Sequence, residues 1–92
     1  MGHGAPQYSV SVCEFSRVEN ENYRMEGIVT HIGVSEQGVR FELCDGSCCV
    51  SAEGPASIAA LSGKQVIATG TWKNGILDVS DVLTRCHGER EP

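Results

Sequence analysis

Residues 23–34 have the sequence YRMEGIVTHIGV, and this stretch decides the predicted fold. Its apolar positions keep to no single face of a strand, and their register changes around Gly27. A glycine at such a change is typical of a sharply bent or bulged strand, because it lacks the Cβ atom that would clash. We therefore expect one long first strand that bends at Gly27.

A β-hairpin is predicted directly after this strand. Residues 39–43 alternate apolar and polar side chains with period two, which indicates a half-buried strand. Asp45 and Gly46 favour a tight turn, because Asp-Gly tolerates positive φ, and residues 48–53 form the returning strand. This hairpin supplies strands two and three.

Two further strands complete the series. Residues 56–61 have the small and apolar side chains of a short helical or turn segment, and residues 66–72 and 76–83 flank a turn with Asn-Gly chemistry. Five strands in this order predict an all-β OB-fold, a five-stranded Greek-key barrel. A small SH3-like barrel is the alternative, but it gives no reason for so long a first strand.

The barrel is predicted to occupy residues 23–84. Residues 1–22 are expected to form an N-terminal extension with a short helical turn, since Ser11 and Glu14 fit a capping box. Residues 85–92 are polar and are expected to form a flexible C-terminal tail.

Length and charge limit what the chain can do. Its 92 residues include 12 Asp and Glu against 7 Lys and Arg, which gives a formal charge of -5. Nonspecific affinity for nucleic acid comes from cations that neutralise phosphates, and the seven cations here form no run. A domain this small is not expected to enclose a cofactor, and no apolar stretch approaches the roughly 20 residues of a membrane-spanning helix.

The outer face of strands two and three is where OB-folds bind single strands of nucleic acid. We expect one cation, two carboxylates and no aromatic ring on this face: Arg40, Glu42, Cys44, Cys49, Ser51 and Glu53. Trp72 and Tyr23 are the candidates for base stacking elsewhere, although a lone tryptophan is more often buried. The sequence therefore disfavours nucleic acid as a partner.

No arrangement of side chains in the sequence indicates catalysis, and we expect that the protein is not an enzyme. His31 is expected on a strand, where a surface or hydrogen-bonded histidine is a better interpretation than a catalytic base.

Five cysteines leave at least one without an intramolecular disulfide partner, and two interpretations stay open. One is a zinc site built from Cys44, Cys48 or Cys49, and Cys86 with His87. The other, which the spacing favours, is a set of small apolar side chains with a disulfide between Cys44 and Cys49 across two strands.

The end of the chain places a thiol beside an imidazole, at Cys86 and His87. An accessible thiolate adds to vinyl groups and binds soft metals. From Tyr8 to Pro92 the order and spacing of short motifs resemble the soluble domain of the haem chaperones of cytochrome c maturation, the CcmE family. The matching stretches are YSVSVCEF (8–15), YRMEGIV (23–29), VRFELCD (39–45), EGP (53–55), VIATG (66–70) and VLTRCHGEREP (82–92).

The resemblance implies a haem chaperone that binds its cofactor, haem, covalently near the C-terminus and delivers it to apocytochrome c. Cys86 falls where the family has its attachment histidine, as in the cysteine-type variant of the family. His87 is then a candidate haem iron ligand. Arg90 stands where the family has a tyrosine, and the alternative role is a pairing of its guanidinium with a haem propionate.

The resemblance also implies a periplasmic or other extracytoplasmic location, with the N-terminal membrane anchor absent from this chain. Apocytochrome c and membrane haem-delivery proteins are the partners it implies, and we expect a monomer. The alternative function is an OB-fold binding module for single-stranded nucleic acid or for a protein partner.

Overall fold

The computed structural model describes residues 9–84, which form a closed barrel of five strands. The elements are β1 (Asn22–Ser35), β2 (Gly38–Asp45), β3 (Cys48–Gly54), a 3-10 helix (Ala56–Leu61), β4 (Gln65–Lys73) and β5 (Ile76–Thr84). Around the barrel the strands follow the order β1-β2-β3-β5-β4. The predicted all-β barrel, with its five strands and its short linking segment, is confirmed.

Alternate side chains of every strand fill the barrel, as period-two patterns require. No charged or polar residue is buried within residues 9–84. The buried apolar residues are Val12, Phe15, Tyr23, Met25, Val29, Val39, Phe41, Leu43, Val50, Ala52, Ile58, Val66, Ala68, Trp72, Leu77 and Val79.

β1 is long because it pairs with two different strands. Residues 22–28 pair with β4, and residues 28–35 pair with β2. Gly27 lies where the second pairing begins, and a Cβ atom there would be 2.7 Å from the carbonyl oxygen of Cys44. The glycine therefore permits a close approach of β1 to β2.

The register of β1 does not change at Gly27, contrary to the prediction. Tyr23, Met25 and Val29 belong to one unbroken inward alternation. The irregularity lies between Thr30 and Gly33, where a bulge shifts the pairing with β2. The sequence pattern was misleading because Ile28, although apolar, is 40% exposed on the outer surface.

The segment before β1 contributes to the core. Val12 and Phe15 are buried, and the ring of Phe15 meets those of Tyr23 and Trp72 edge to face at centroid distances of 5.0 and 4.9 Å. Tyr23 and Trp72 are buried as well. The favoured interpretation of Trp72 as a buried ring is confirmed, and neither ring is available for base stacking, because both fill the barrel.

The same segment lies along a free edge of β1. The N–H of Val10 donates to the carbonyl oxygen of Arg24 at 2.7 Å, and Val10 forms a parallel bridge with Met25. A disulfide between Cys13 and Cys48 then joins the segment to the start of β3. The chain thus covers this edge with its own residues.

Replacing Gly27 by alanine is expected to lower the free energy of unfolding by about 1–3 kcal/mol, because the new Cβ atom would press on the backbone of β2. Gly33→Ala is the matched control on the same strand, since its Cβ atom would meet nothing within 4 Å. We expect this control to change the free energy of unfolding by less than about 0.5 kcal/mol in urea titrations. Equal losses in the two variants would contradict the close approach at Gly27.

Candidate functional site

The outer face of β2 and β3 carries the side chains predicted for it. The register places Arg40 opposite Glu53, Glu42 opposite Ser51, and Cys44 opposite Cys49, and all six side chains are exposed or half-buried. The described residues of this face therefore include two carboxylates, one guanidinium and a pair of cysteines.

All four cysteines among residues 9–84 are in disulfides. Cys44 and Cys49 are joined across β2 and β3, which confirms the predicted pairing, and their Cα atoms are 4.0 Å apart. Cys13 and Cys48 form the second bond, which the sequence analysis did not predict. In this oxidised form Cys44, Cys48 and Cys49 have no free thiolate that could bind zinc in the site predicted with Cys86 and His87. Cys13 and Cys48 were expected to be small apolar side chains, but they form a covalent cross-link.

His31 lies at the β1 bulge, with a positive φ of 53°. Its Nδ1 atom is 3.3 Å from Oε1 of Glu42 on β2 and 3.2 Å from Oγ1 of Thr30. The side chain of His31 is 76% exposed. The interpretation as a hydrogen-bonded surface histidine is confirmed, and the bulge brings its ring to the carboxylate of Glu42.

Cys86, His87 and Arg90, the residues predicted to bind haem, lie outside the described residues 9–84. Covalent attachment of haem at Cys86 and iron ligation by His87 therefore stay predictions that rest on the resemblance alone.

A groove of about 590 Å³ lies between the 3-10 helix and the end of β5. Leu83 is 52% exposed beside it, whereas Ile58 of the helix is buried. The lining residues are Pro55, Ser57, Ile58, Leu61, Ser80, Asp81, Val82, Leu83 and Thr84. Asp81 is the one charged residue among them, and Ser57, Ser80 and Thr84 add hydroxyl groups, so the groove combines apolar and polar walls with a single negative charge.

The sequence alone did not indicate this groove. Its walls come from two segments about 20 residues apart, and only the barrel topology brings them together. The apolar Leu83 at the end of the last strand is a local signal, but a single exposed leucine is common on protein surfaces.

No family model matches the chain, and no curated protein is significantly similar to it in sequence. A solved structure is similar in fold, the crystal structure of the S. pombe Stn1-Ten1 complex. One chain of that complex matches with a TM-score of 0.58 at 16% identity, over 88% of this chain and 81% of that chain. The chain is an OB-fold barrel. At this level of identity the likeness shows the fold alone.

The partners predicted from the sequence need correction. Nucleic acid was disfavoured, a monomer was expected, and haem-delivery proteins and apocytochrome c were the implied partners. The chain instead shares its fold with part of a two-protein complex, and OB-folds bind oligonucleotides through the β2–β3 face and the loops beside it. That prediction of partners is wrong, because it judged the β2–β3 face by its charges and its lack of aromatic rings and took no account of the loops beside it.

Among residues 9–84 no helix is long and apolar enough to cross a membrane. The periplasmic location and the absence of enzymatic activity were expected from the sequence, and both stay predictions.

The two disulfides are expected to differ in their contribution to stability. Cys13–Cys48 closes a separation of 35 residues and Cys44–Cys49 one of 5. Chain-entropy arguments then assign about 4 kcal/mol to the first bond and about 2 kcal/mol to the second. We expect Cys13→Ala/Cys48→Ala to lower the unfolding free energy more than Cys44→Ala/Cys49→Ala in urea titrations. The reverse order would show that the hairpin disulfide, not the bond to the N-terminal segment, holds the barrel together.

Proposed function

We propose that this OB-fold is a protein-interaction module that binds an extended segment of a partner in the groove between the 3-10 helix and β5. The observation that carries the proposal is the unpaired outer edge of β5. Strand edges of this kind are the sites where extended peptides add to a sheet.

The edge is free because β3 is too short to cover it. β3 and β5 run parallel and pair at two positions, Ala52 with Leu77 and Glu53 with Asp78. β3 then ends at Gly54, whereas β5 continues to Thr84. Within residues 9–84, no strand pairs with the outer side of β5 between Val79 and Leu83, although its other side is paired with β4 along this stretch.

The 3-10 helix stands beside this edge without forming a strand along it. Ile58 fills the space next to the end of β3, since a Cβ atom at Gly54 would lie 2.5 Å from Cδ1 of Ile58. Leu61, which is half-buried, and Leu83, which is exposed, provide apolar contacts at the groove, above the buried Ile58. An added strand would thus gain main-chain hydrogen bonds from β5 and side-chain contacts from both walls.

The groove also specifies the size and charge of its occupant. Residues 80–83 of β5 would pair with a strand of about four residues, or roughly 13 Å at the rise of an extended chain. Asp81 is the one charge in the lining, and the chain as a whole carries -5. A segment with lysine or arginine beside apolar residues complements these charges.

The solved structure that is similar in fold supports this use of the barrel, because it is a complex between two proteins, Stn1 and Ten1. The other candidate ligand of an OB-fold is single-stranded nucleic acid, which would bind the β2–β3 face and the neighbouring loops. Arg40 is the cation on that face, so it reports on this alternative.

Selection of a random seven-residue peptide display library against the chain is expected to enrich sequences that alternate apolar residues with lysine or arginine. In fluorescence anisotropy titrations of the enriched peptides, Leu83→Ser should weaken binding about tenfold, because it removes an apolar wall of the groove. Val34→Ser is the matched control, since Val34 is 94% exposed and lies outside the groove. Asp81→Asn should weaken binding of the basic peptides, whereas Asp78→Asn, outside the groove lining, should not.

Methylation of the peptide backbone tests strand addition itself. Backbone N–H groups of a strand point alternately to its two sides, so one of two methylation patterns, on odd or on even residues, removes the donors that face β5, and the other pattern leaves them intact. We expect one pattern to abolish binding and the other to be tolerated. Equal effects of the two patterns, equal affinity of Leu83→Ser and Val34→Ser, or no enrichment at all would overturn the proposal. The outcome in favour of nucleic-acid binding has two parts. No peptide is enriched, and a labelled 15-nucleotide single strand binds the parent but not Arg40→Ala.

A further inference from the structure

Three metal-binding side chains meet on the outer face of the β2–β3 hairpin. Glu42 and Cys44 are two residues apart on the same face of β2, and Cys49 is the partner of Cys44 across the hairpin. A carboxylate oxygen and the two sulfur atoms all lie within 4.8 Å of one another. None of these residues lines the groove, so this site does not depend on the proposed function.

The two sulfur atoms are bonded to each other in the oxidised chain and are not metal ligands in that form. A dithiol reductant changes this by thiol–disulfide exchange. The Cys44–Cys49 bond breaks, two electrons and two protons convert its sulfurs to thiols, and the dithiol becomes a disulfide. The hairpin keeps its register without this bond, because seven residue pairs join β2 to β3.

We propose that the reduced hairpin binds one Zn²⁺ ion through Sγ of Cys44, Sγ of Cys49 and a carboxylate oxygen of Glu42, with water as the fourth ligand. Cysteine sulfur and carboxylate oxygen are both common zinc ligands, and four-coordination is the usual state of the ion. The two thiols release their protons when the ion binds. The three negative charges of two thiolates and one carboxylate then give the zinc site a net charge of 1−.

The surrounding residues fit this role. Metal-binding carboxylates are usually held by a second hydrogen-bonding group, and Nδ1 of His31 lies 3.3 Å from Oε1 of Glu42. Oγ1 of Thr30 lies 3.5 Å from Sγ of Cys44, close enough for the hydroxyl to donate to a thiolate. His31 and Thr30 are positioning residues in this arrangement. The unusual positive φ of His31, 53°, serves to bring the imidazole over β2.

The site would then be a redox-controlled one. Reduction by a dithiol makes the ligands available. Exchange with a small-molecule disulfide, which takes up the two electrons and leaves as two thiols, re-forms the Cys44–Cys49 bond and releases the ion. Because Cys44 and Cys49 are half-buried and exposed, respectively, both the reductant and the metal can reach them.

The test uses the full chain, reduced with a phosphine that does not chelate metals, and titrated with Co²⁺ as a spectroscopic probe and with Zn²⁺ against a coloured chelator. We expect one equivalent of metal and a thiolate-to-cobalt charge-transfer band in the reduced chain, and neither in the oxidised chain. Cys44→Ser/Cys49→Ser should abolish the band. Glu42→Gln should weaken Zn²⁺ affinity, and His31→Ala should weaken it roughly 10-fold to 100-fold.

Control variants separate this site from the general charge of the face and from the other cysteines. Glu53→Gln removes a carboxylate from the same face outside the cluster and should leave the affinity unchanged. Cys13→Ser/Cys48→Ser and Cys86→Ser should each retain the cobalt band. Circular dichroism checks that each variant is folded. If replacement of the two cysteines unfolds the hairpin, Glu42→Gln still tests the site, because it retains both cysteines.

The proposal is overturned if the reduced parent binds no metal, or if the band depends on Cys13, Cys48 or Cys86 instead of Cys44 and Cys49. It is also overturned if Glu42→Gln and Glu53→Gln have the same effect on Zn²⁺ affinity.

Discussion

The barrel closes on a parallel seam of only two residue pairs between β3 and β5, and the main features of the surface follow from it. β3 ends at Gly54, and Pro55, which has no backbone N–H, follows it. The chain then turns into the 3-10 helix, whose Ile58 packs against Gly54 at the end of β3. β5 extends past this point, which leaves one of its edges beside a groove.

The free edges of β1 and β5 differ in what covers them. On β1 the chain covers a free edge with its own residues, through the bridge at Val10, and secures them with the Cys13–Cys48 disulfide. On β5 the described residues provide no such strand, and the helix beside the edge contributes apolar side chains instead. This difference favours the β5 edge as the place where another chain binds. The hairpin face with Cys44 and Cys49 is a separate surface, with its own chemistry.

The sequence predicted the parts of the fold that depend on local patterns. Alternation in β2 and the Asp45-Gly46 turn placed the first hairpin correctly, and the cross-strand pairing of Cys44 with Cys49 followed from it. The bulge at His31 was missed because the exposed Ile28 disturbed the apolar pattern. The groove depends on where β3 ends relative to β5, a nonlocal property that neither strand shows in its own sequence. Cys86, His87 and Arg90, on which the haem hypothesis depends, lie outside residues 9–84, so that hypothesis stays a prediction.

The groove and the proposed strand addition both depend on the outer edge of β5 from Val79 to Leu83, with which no strand of residues 9–84 pairs. Amide hydrogen exchange, followed residue by residue by NMR in the chain alone, measures this pairing, because pairing protects an amide and an open edge does not. Within residues 80–83, the amides directed away from β4 are predicted to exchange orders of magnitude faster than those directed toward β4. Uniformly slow exchange along β5 would show that this edge is already paired and would exclude strand addition there.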